Sequence, residues 1–195
     1  MLAVMVTRHL DPENTRIALL DAGLRLADET GLAGMSVNKV VAAAQSSKGA
    51  FFHHFPTRQA YLLALHRRFH DSLLDEVLAA IDGMPPGLAR LLRTVELYLD
   101  AFLGARGVRG LLIEARSEPL ILAEVARRNT QAAQMIEPDL RALDWPEAAA
   151  SARLVVAIAA EAAIVEYERG GRHEPTRRAL VGFLDRDRSS QVPGR

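Results

Sequence analysis

Apolar residues recur along this chain every three or four positions rather than in alternation. No run of β-branched and aromatic residues bounded by turn signals reads as a strand. The pattern predicts an all-α chain of about nine helices punctuated by glycine and proline. Asp11-Pro12-Glu13 supplies a capping side chain, a first-turn proline and an acid favoured by the helix dipole. The helix that starts there carries Leu19, Leu20, Gly23, Leu24 and Ala27 on one side and stops at Gly31. Ser36 caps a short second helix with Val37, Val40, Val41 and Ala44 facing inward. After a break at Gln45-Ser46, Ser47 caps a third short helix that ends at Phe55-Pro56. Thr57 then opens a long helix to about Ile81, roughly 36 Å.

Met84-Pro85-Pro86-Gly87 separates that helix from a fifth, over about 87 to 103. Gly104, Gly107 and Gly110 make the next break, before a short helix near 108 to 115. Ser117-Glu118-Pro119 starts a helix to about residue 142, which Pro138 should kink or shorten. Trp145-Pro146-Glu147 starts an alanine-rich helix to Arg169, stopped by Gly170-Gly171, and Glu174-Pro175 begins the last one, to about Asp185. Residues 187–195 read as a disordered tail.

Composition narrows the function. The 195 residues hold 24 Lys plus Arg against 24 Asp plus Glu, so a histone-like or polybasic membrane-binding protein is excluded. With no cysteine there are no disulfides, cysteine-ligated zinc or thiol nucleophiles, which fits a cytoplasmic protein. The N-terminus, MLAVMVTRHL, is too short for a signal peptide and has no basic residue ahead of its apolar part. No membrane span is expected: the longest strongly apolar stretch, Leu154 to Val165, is short of the roughly 20 residues a span needs and is interrupted by Glu161.

Charge is unevenly placed. Between Ser36 and His70 lie Lys39, Lys48, Arg58, Arg67 and Arg68, four of the six histidines and no acid. The other 160 residues hold 19 basic against 24 acidic. Such segregation is the electrostatic footprint of a nucleic-acid face, although a solvated helix that merely lacks acids would share it. The only two lysines, Lys39 and Lys48, sit one on each short helix.

The third helix has the chemistry of a recognition helix. Ser46 and Ser47 can cap it and donate hydroxyls to phosphate, beside outward backbone N–H groups that favour an anion. Lys48 can reach a guanine edge or a phosphate, and Gly49 and Ala50 leave room for close approach to the major groove. Phe51 and Phe55, four apart, anchor the helix inward, with Phe52, His53 and His54 beside or outside that anchor.

From Thr15 to about Leu65 the chain resembles the TetR family of one-component transcriptional regulators. The resemblance rests on Thr15-Arg16, the LLDAGLRLADETG run to Gly31, MSVNKVVAAA, and SKGAFFHHFPTRQAYLLAL, spaced without a gap. Carried over residue by residue, it implies DNA contacts at Ser36, Ser46, Ser47, Lys48, Gly49, Ala50, Phe52, His53, His54 and Arg58. Three positions depart from the family. Gln45-Ser46 stands where glycine then valine is usual, Ala50 where threonine is common, and Phe52 where tyrosine is common. The first puts a glutamine at an uncomfortable backbone angle; the other two each remove a hydroxyl contact worth on the order of 1 kcal/mol.

The resemblance also implies a domain plan. Residues 1–56 would be the helix-turn-helix DNA-binding domain, with its motif at about 36–55, and 57–186 a helical domain for effector binding and dimerisation. The regulator would be a homodimer on an inverted-repeat DNA operator, most simply a repressor released by a small-molecule effector. Candidate pocket residues are His66, Phe69, His70, Tyr98, Phe102, Arg116 and Glu161. Ala152, Val156, Ala159, Ala160, Ala163 and Leu180 are candidates for a four-helix dimer interface built on the last two helices.

Three features invite other readings. His66 and His70, four apart, could hold a metal, but Arg67 stands where a metalloprotease has its glutamate, so no metal or cofactor is expected. Glu161 either contacts a ligand, pairs with an arginine such as Arg116, or reaches solvent. No nucleophile elbow or phosphate loop supports an enzyme. The competing class is a protein of the same fold that binds or converts a small molecule and has lost DNA recognition.

Overall fold

Ser36, Ser47 and Thr57 each accept a hydrogen bond from the backbone N–H three residues ahead, at 3.3, 3.1 and 3.0 Å. Each such cap satisfies an orphan donor and contributes about 1 kcal/mol to the helix it starts. The computed structural model describes residues 12–31, 34–105 and 119–185, and everything described there is helix or connection. Eight helices are present among these residues: α1 Pro12–Thr30, α2 Val37–Ala43, α3 Lys48–His54, α4 Arg58–Ile81, α5 Leu88–Gly104, α6 Pro119–Ala142, α7 Ala148–Glu168 and α8 Glu174–Leu184. The helix expected near 108–115, the caps at Asp11 and Ser117, Arg116 and the tail lie outside the described residues.

The boundaries otherwise follow the punctuation, with one correction. Pro138 does not shorten α6, which continues unbroken to Ala142. The residue after the proline, Asp139, is buried and accepts from Gly87 N–H at 2.9 Å and from Arg90 Nε and Nη2 at 2.7 and 3.0 Å. Asp139 thus ties this part of α6 to the start of α5.

Two apolar cores are strung along α4. The N-terminal core packs Leu19 and Leu20 of α1 and Val40 and Val41 of α2 with Phe51 and Phe55, then takes in Tyr61, Leu62, Ala64 and Leu65 from α4. Tyr61 Oη donates to Leu19 O at 2.8 Å across the α1–α4 contact, which burial would otherwise leave costly. Gly23 permits that approach, since a Cβ there would lie 2.0 Å from the tyrosine oxygen. Ile121, from the first turn of α6, belongs to this same core. The second core holds Leu73, Val77 and Ile81 of α4 against α5, α6, α7 and α8.

α7 bears on two expectations. By length and composition it is apolar enough to cross a membrane, which a count of uninterrupted apolar residues overlooks. Here one face of it packs into the second core through Ala152, Val155, Ala159, Ala162 and Ala163. Its buried acid is Glu166, not Glu161: Glu166 accepts from Arg177 Nε and Nη2 at 2.7 and 2.8 Å and from His173 N–H at 3.0 Å. Burial pushes the Glu166 carboxyl up, but these hydrogen bonds and the Arg177 charge outweigh it and the net shift is down.

Candidate nucleic-acid interface and the cavity behind it

Ser46 N–H donates to Val41 O at 2.8 Å, turning the chain sharply from α2 into α3. The turn needs a left-handed residue, and Gln45 supplies it at φ 50°. A glutamine pays a steric penalty there that glycine avoids. We therefore expect Gln45→Gly to raise head stability by about 0.5–1 kcal/mol in a denaturant titration. An unchanged or lowered midpoint would contradict the strain.

α3 is anchored by Phe51, 1% exposed, whose ring lies 5.6 Å from Phe55 and 4.8 Å from Tyr61. This buried pair leaves the opposite face of α3 outward. Ser47, Lys48, Gly49, Phe52 and His53 are exposed, whereas Ser46, Ala50 and His54 are half-buried. The His54 ring lies tilted to that of Phe55, their centroids 6.1 Å apart. A methyl at Gly49 would meet only Ser47 Oγ, at 3.7 Å, so nothing inside the fold requires glycine there. Ser36 and Arg58 are exposed at the starts of α2 and α4.

The basic segment is less basic in space than along the chain. Arg68 Nε pairs with Asp21 of α1 at 3.2 Å, and Arg67 with Glu124 of α6 at 3.1 Å. Lys39 Nζ donates to Gly34 O at 2.8 Å, at an exposed site. The positive face is thus built mainly from Lys39, Lys48 and Arg58.

The family of bacterial regulatory proteins named tetR matches residues 19–65, from within α1 to the first turns of α4. The match makes the head formed by α1 to α4 a TetR-type helix-turn-helix head. Solved structures share the whole fold. A transcriptional regulator from Rhodococcus sp. Rha1 is 24% identical, with a TM-score of 0.70 over 91% of this chain and 97% of that one. A TetR-like transcriptional regulator from Rhodococcus sp. RHA1 is 15% identical, TM-score 0.70, over 91% and 97%. Reduced NemR from E. coli is 15% identical, TM-score 0.71, over 89% and 96%. At these identities the likeness establishes the fold. No curated protein gives a significant match. The matched head is of the kind found in bacterial regulatory proteins.

Behind the TetR-type head, α4, α5, α6 and α7 line a cavity of about 110 Å³ that is partly open to solvent. Of the sequence-derived pocket candidates, His70 and Tyr98 line it. Phe102 contacts both, at 5.8 and 4.6 Å, and Phe69 packs edgewise on Phe102. His66 is fully buried beside His70, their rings 4.3 Å apart, and neither of its ring nitrogens has a hydrogen-bond partner among the described residues. Burial holds both imidazoles neutral, His66 down to about 4 and His70 to about 3. Glu161 is exposed and does not line the cavity. Helical spacing turns it one position away from the buried face that Ala162 and Ala163 share.

The dimer candidates need correction too. Ala152, Ala159, Ala163 and Leu180 are buried within the protomer, Val156 lines the cavity, and Ala160 is half-buried. Small residues do mark a close helix approach, but the neighbours are helices of the same chain. The outward apolar positions of α7 and α8 are instead Leu154, 63% exposed, Ala157 and Phe183, 50% exposed.

The polar cluster between α4 and α6 was not visible in the sequence. Glu124, 4% exposed, accepts from Arg67, Arg127 and Arg128, and Arg128 also reaches Asp71 at 2.6 Å. Hydrogen bonds, that from Arg127 foremost, hold the Glu124 carboxyl down at about 2 against the upward push of burial. The spacing of Glu124 to Arg127 and Arg128 signals helix ion pairs. Nothing along the chain assigns Arg67 and Asp71 to them.

Proposed function

We propose that this regulator binds an inverted-repeat operator as a homodimer, through α3 and its flanks, and is released as a repressor by a small molecule in the cavity. The observation that carries the reading is the outward face of α3. Ser47, Lys48, Gly49, Phe52 and His53 are exposed around a buried Phe51–Phe55 anchor, and the glycine serves no internal packing. Ser36, Ser46, Ala50, His54 and Arg58 complete the contact set, with Lys39 as a further phosphate partner. Of the paired arginines, neither Arg67 nor Arg68 is needed for it.

The dimer face is the apolar side of α7 and α8 that the protomer leaves uncovered, Leu154, Ala157 and Phe183 among it. The domain division falls inside α4, which gives Tyr61 to Leu65 to the head and Leu73 to Ile81 to the bundle. α6 supplies a second route between cavity and head. Ile121 sits in the head core, Glu124 and Arg128 grip α4, and residues 128–136 border the cavity. A ligand that shifts α6 therefore shifts the head, and ligand and DNA must weaken each other reciprocally.

Selection from a random DNA pool should return an inverted repeat with half-sites one or two helical turns apart. On that operator Lys48→Ala should lower affinity by about 1–3 kcal/mol in an anisotropy titration, and wild-type affinity should fall steeply with salt. No enriched sequence, or salt-independent binding, would favour the reading of a same-fold protein that has lost DNA recognition.

A further inference from the structure

The cavity combines an apolar wall with a buried hydroxyl that has no partner among the described residues. Leu73, Val77, Met135, Ile136 and Val155 make the wall. Thr94 of α5 lines the same space, is 6% exposed, and its Oγ1 has no hydrogen-bond partner among the described residues. A threonine in mid-helix commonly turns its hydroxyl to the carbonyl four residues back. Here it does not, although leaving a buried hydroxyl without a hydrogen bond is costly. A ligand oxygen at Thr94 would recover that cost, and His70, also facing the cavity, is a neutral imidazole able to donate or accept.

The charged groups at the cavity point the same way, because they are already used. Arg128 is the only ionisable side chain besides His70 and Tyr98 in the described lining. Its guanidinium is held by Glu124 at 3.0 Å, Asp71 at 2.6 Å and the Arg67 carbonyl at 3.4 Å. An anion entering here would have to displace Asp71 and lie close to Glu124. A cation would face Arg128 with no unpaired acid to receive it. Either ion would also lose hydration against an apolar wall.

Resting on the reading of this cavity as the effector site, we propose that it takes a compact, uncharged, mostly apolar molecule whose hydroxyl or carbonyl oxygen pairs with Thr94. The volume, about 110 Å³, has room for a single ring or a short branched chain as the buried part of that molecule. An apolar cavity of about 150 Å³ in another protein holds benzene.

Benzyl alcohol, benzoate, benzylammonium and toluene have nearly the same shape and differ in charge and hydrogen bonding. Their dissociation constants for the full-length protein can be measured by ligand-detected NMR titration at neutral pH. We expect benzyl alcohol to bind at least about tenfold tighter than either ion. Thr94→Val should weaken benzyl alcohol by about fivefold, roughly the worth of one net hydrogen bond, and leave toluene within about twofold. Thr94→Ser should restore the alcohol. Tighter binding of benzoate or benzylammonium, no binding of any of the four, or an equal response of alcohol and toluene to Thr94→Val overturns the assignment. Adding the same compounds to the protein on its selected operator separates the two readings. Binding of benzyl alcohol without release of DNA leaves the ligand class standing and removes the effector role. Release by benzoate alone keeps the effector role and removes the ligand class.

Discussion

Arg177→Leu should cost about 3–5 kcal/mol of folding free energy, among the largest losses any single substitution in this chain can produce. Arg177 is 7% exposed and makes two hydrogen bonds to Glu166 and one, at 2.6 Å, to Asp100. The Glu166 hydrogen bonds foremost hold its own ionisation well above the ordinary arginine value. Removing it leaves Glu166, 2% exposed, with only the His173 N–H. An uncompensated buried carboxylate is what makes the loss large, rather than the worth of the pair itself. The double variant Glu166→Leu/Arg177→Leu should accordingly recover most of the stability. Urea titrations of the three proteins decide the matter. A single variant within about 1 kcal/mol of wild type would mean that the α5–α7–α8 junction does not depend on this pair.

Mild acid should destabilise the protein before its carboxylates titrate. The folded state keeps His66 and His70 neutral down to about 4 and about 3, whereas the unfolded chain takes up protons on both near the ordinary histidine value of 6.5. Below 6.5 the unfolded state therefore binds more protons, and stability falls as pH falls. The contribution is complete above 6.5 and is lost down to about 4 for His66 and about 3 for His70. Each histidine lowers stability by up to about 1.4 kcal/mol per pH unit inside that window. Glu124, held at about 2 against an ordinary 4.5, adds its loss only below 4.5. Between 6.5 and 4.5 the slope thus belongs to the histidine pair. Urea midpoints at pH 7 and pH 5 should differ clearly in wild type and much less in His66→Phe/His70→Phe. Equal slopes in the two proteins would show that other groups set the acid limb.

The head was legible in the sequence because its determinants are local. Ser36, Ser47 and Thr57 cap helices three residues ahead of themselves, and Phe51 and Phe55 share a face through helical spacing alone. The strain at Gln45 was readable for the same reason, since the turn type demands a left-handed residue at that one position. The bundle was less legible. Every amphipathic helix announces a buried face, but not whether its neighbour comes from the same chain or from a partner. That is why Ala152, Ala159, Ala163 and Leu180 suggested a dimer seam and proved to be protomer core.

Charge shows the same division. The order of residues alone determined an all-α chain, the recognition helix, the acid-free stretch from Ser36 to His70 and the absence of cysteine chemistry. Only the tertiary structure decided which of those charges remain outward. It neutralised Arg67 and Arg68 with Glu124 and Asp21, buried Glu166 rather than Glu161, and left Thr94 facing a cavity without a partner. Helix formation and capping depend on neighbours within four residues, whereas pairs such as Arg68–Asp21 and Arg177–Asp100 join positions 47 and 77 residues apart.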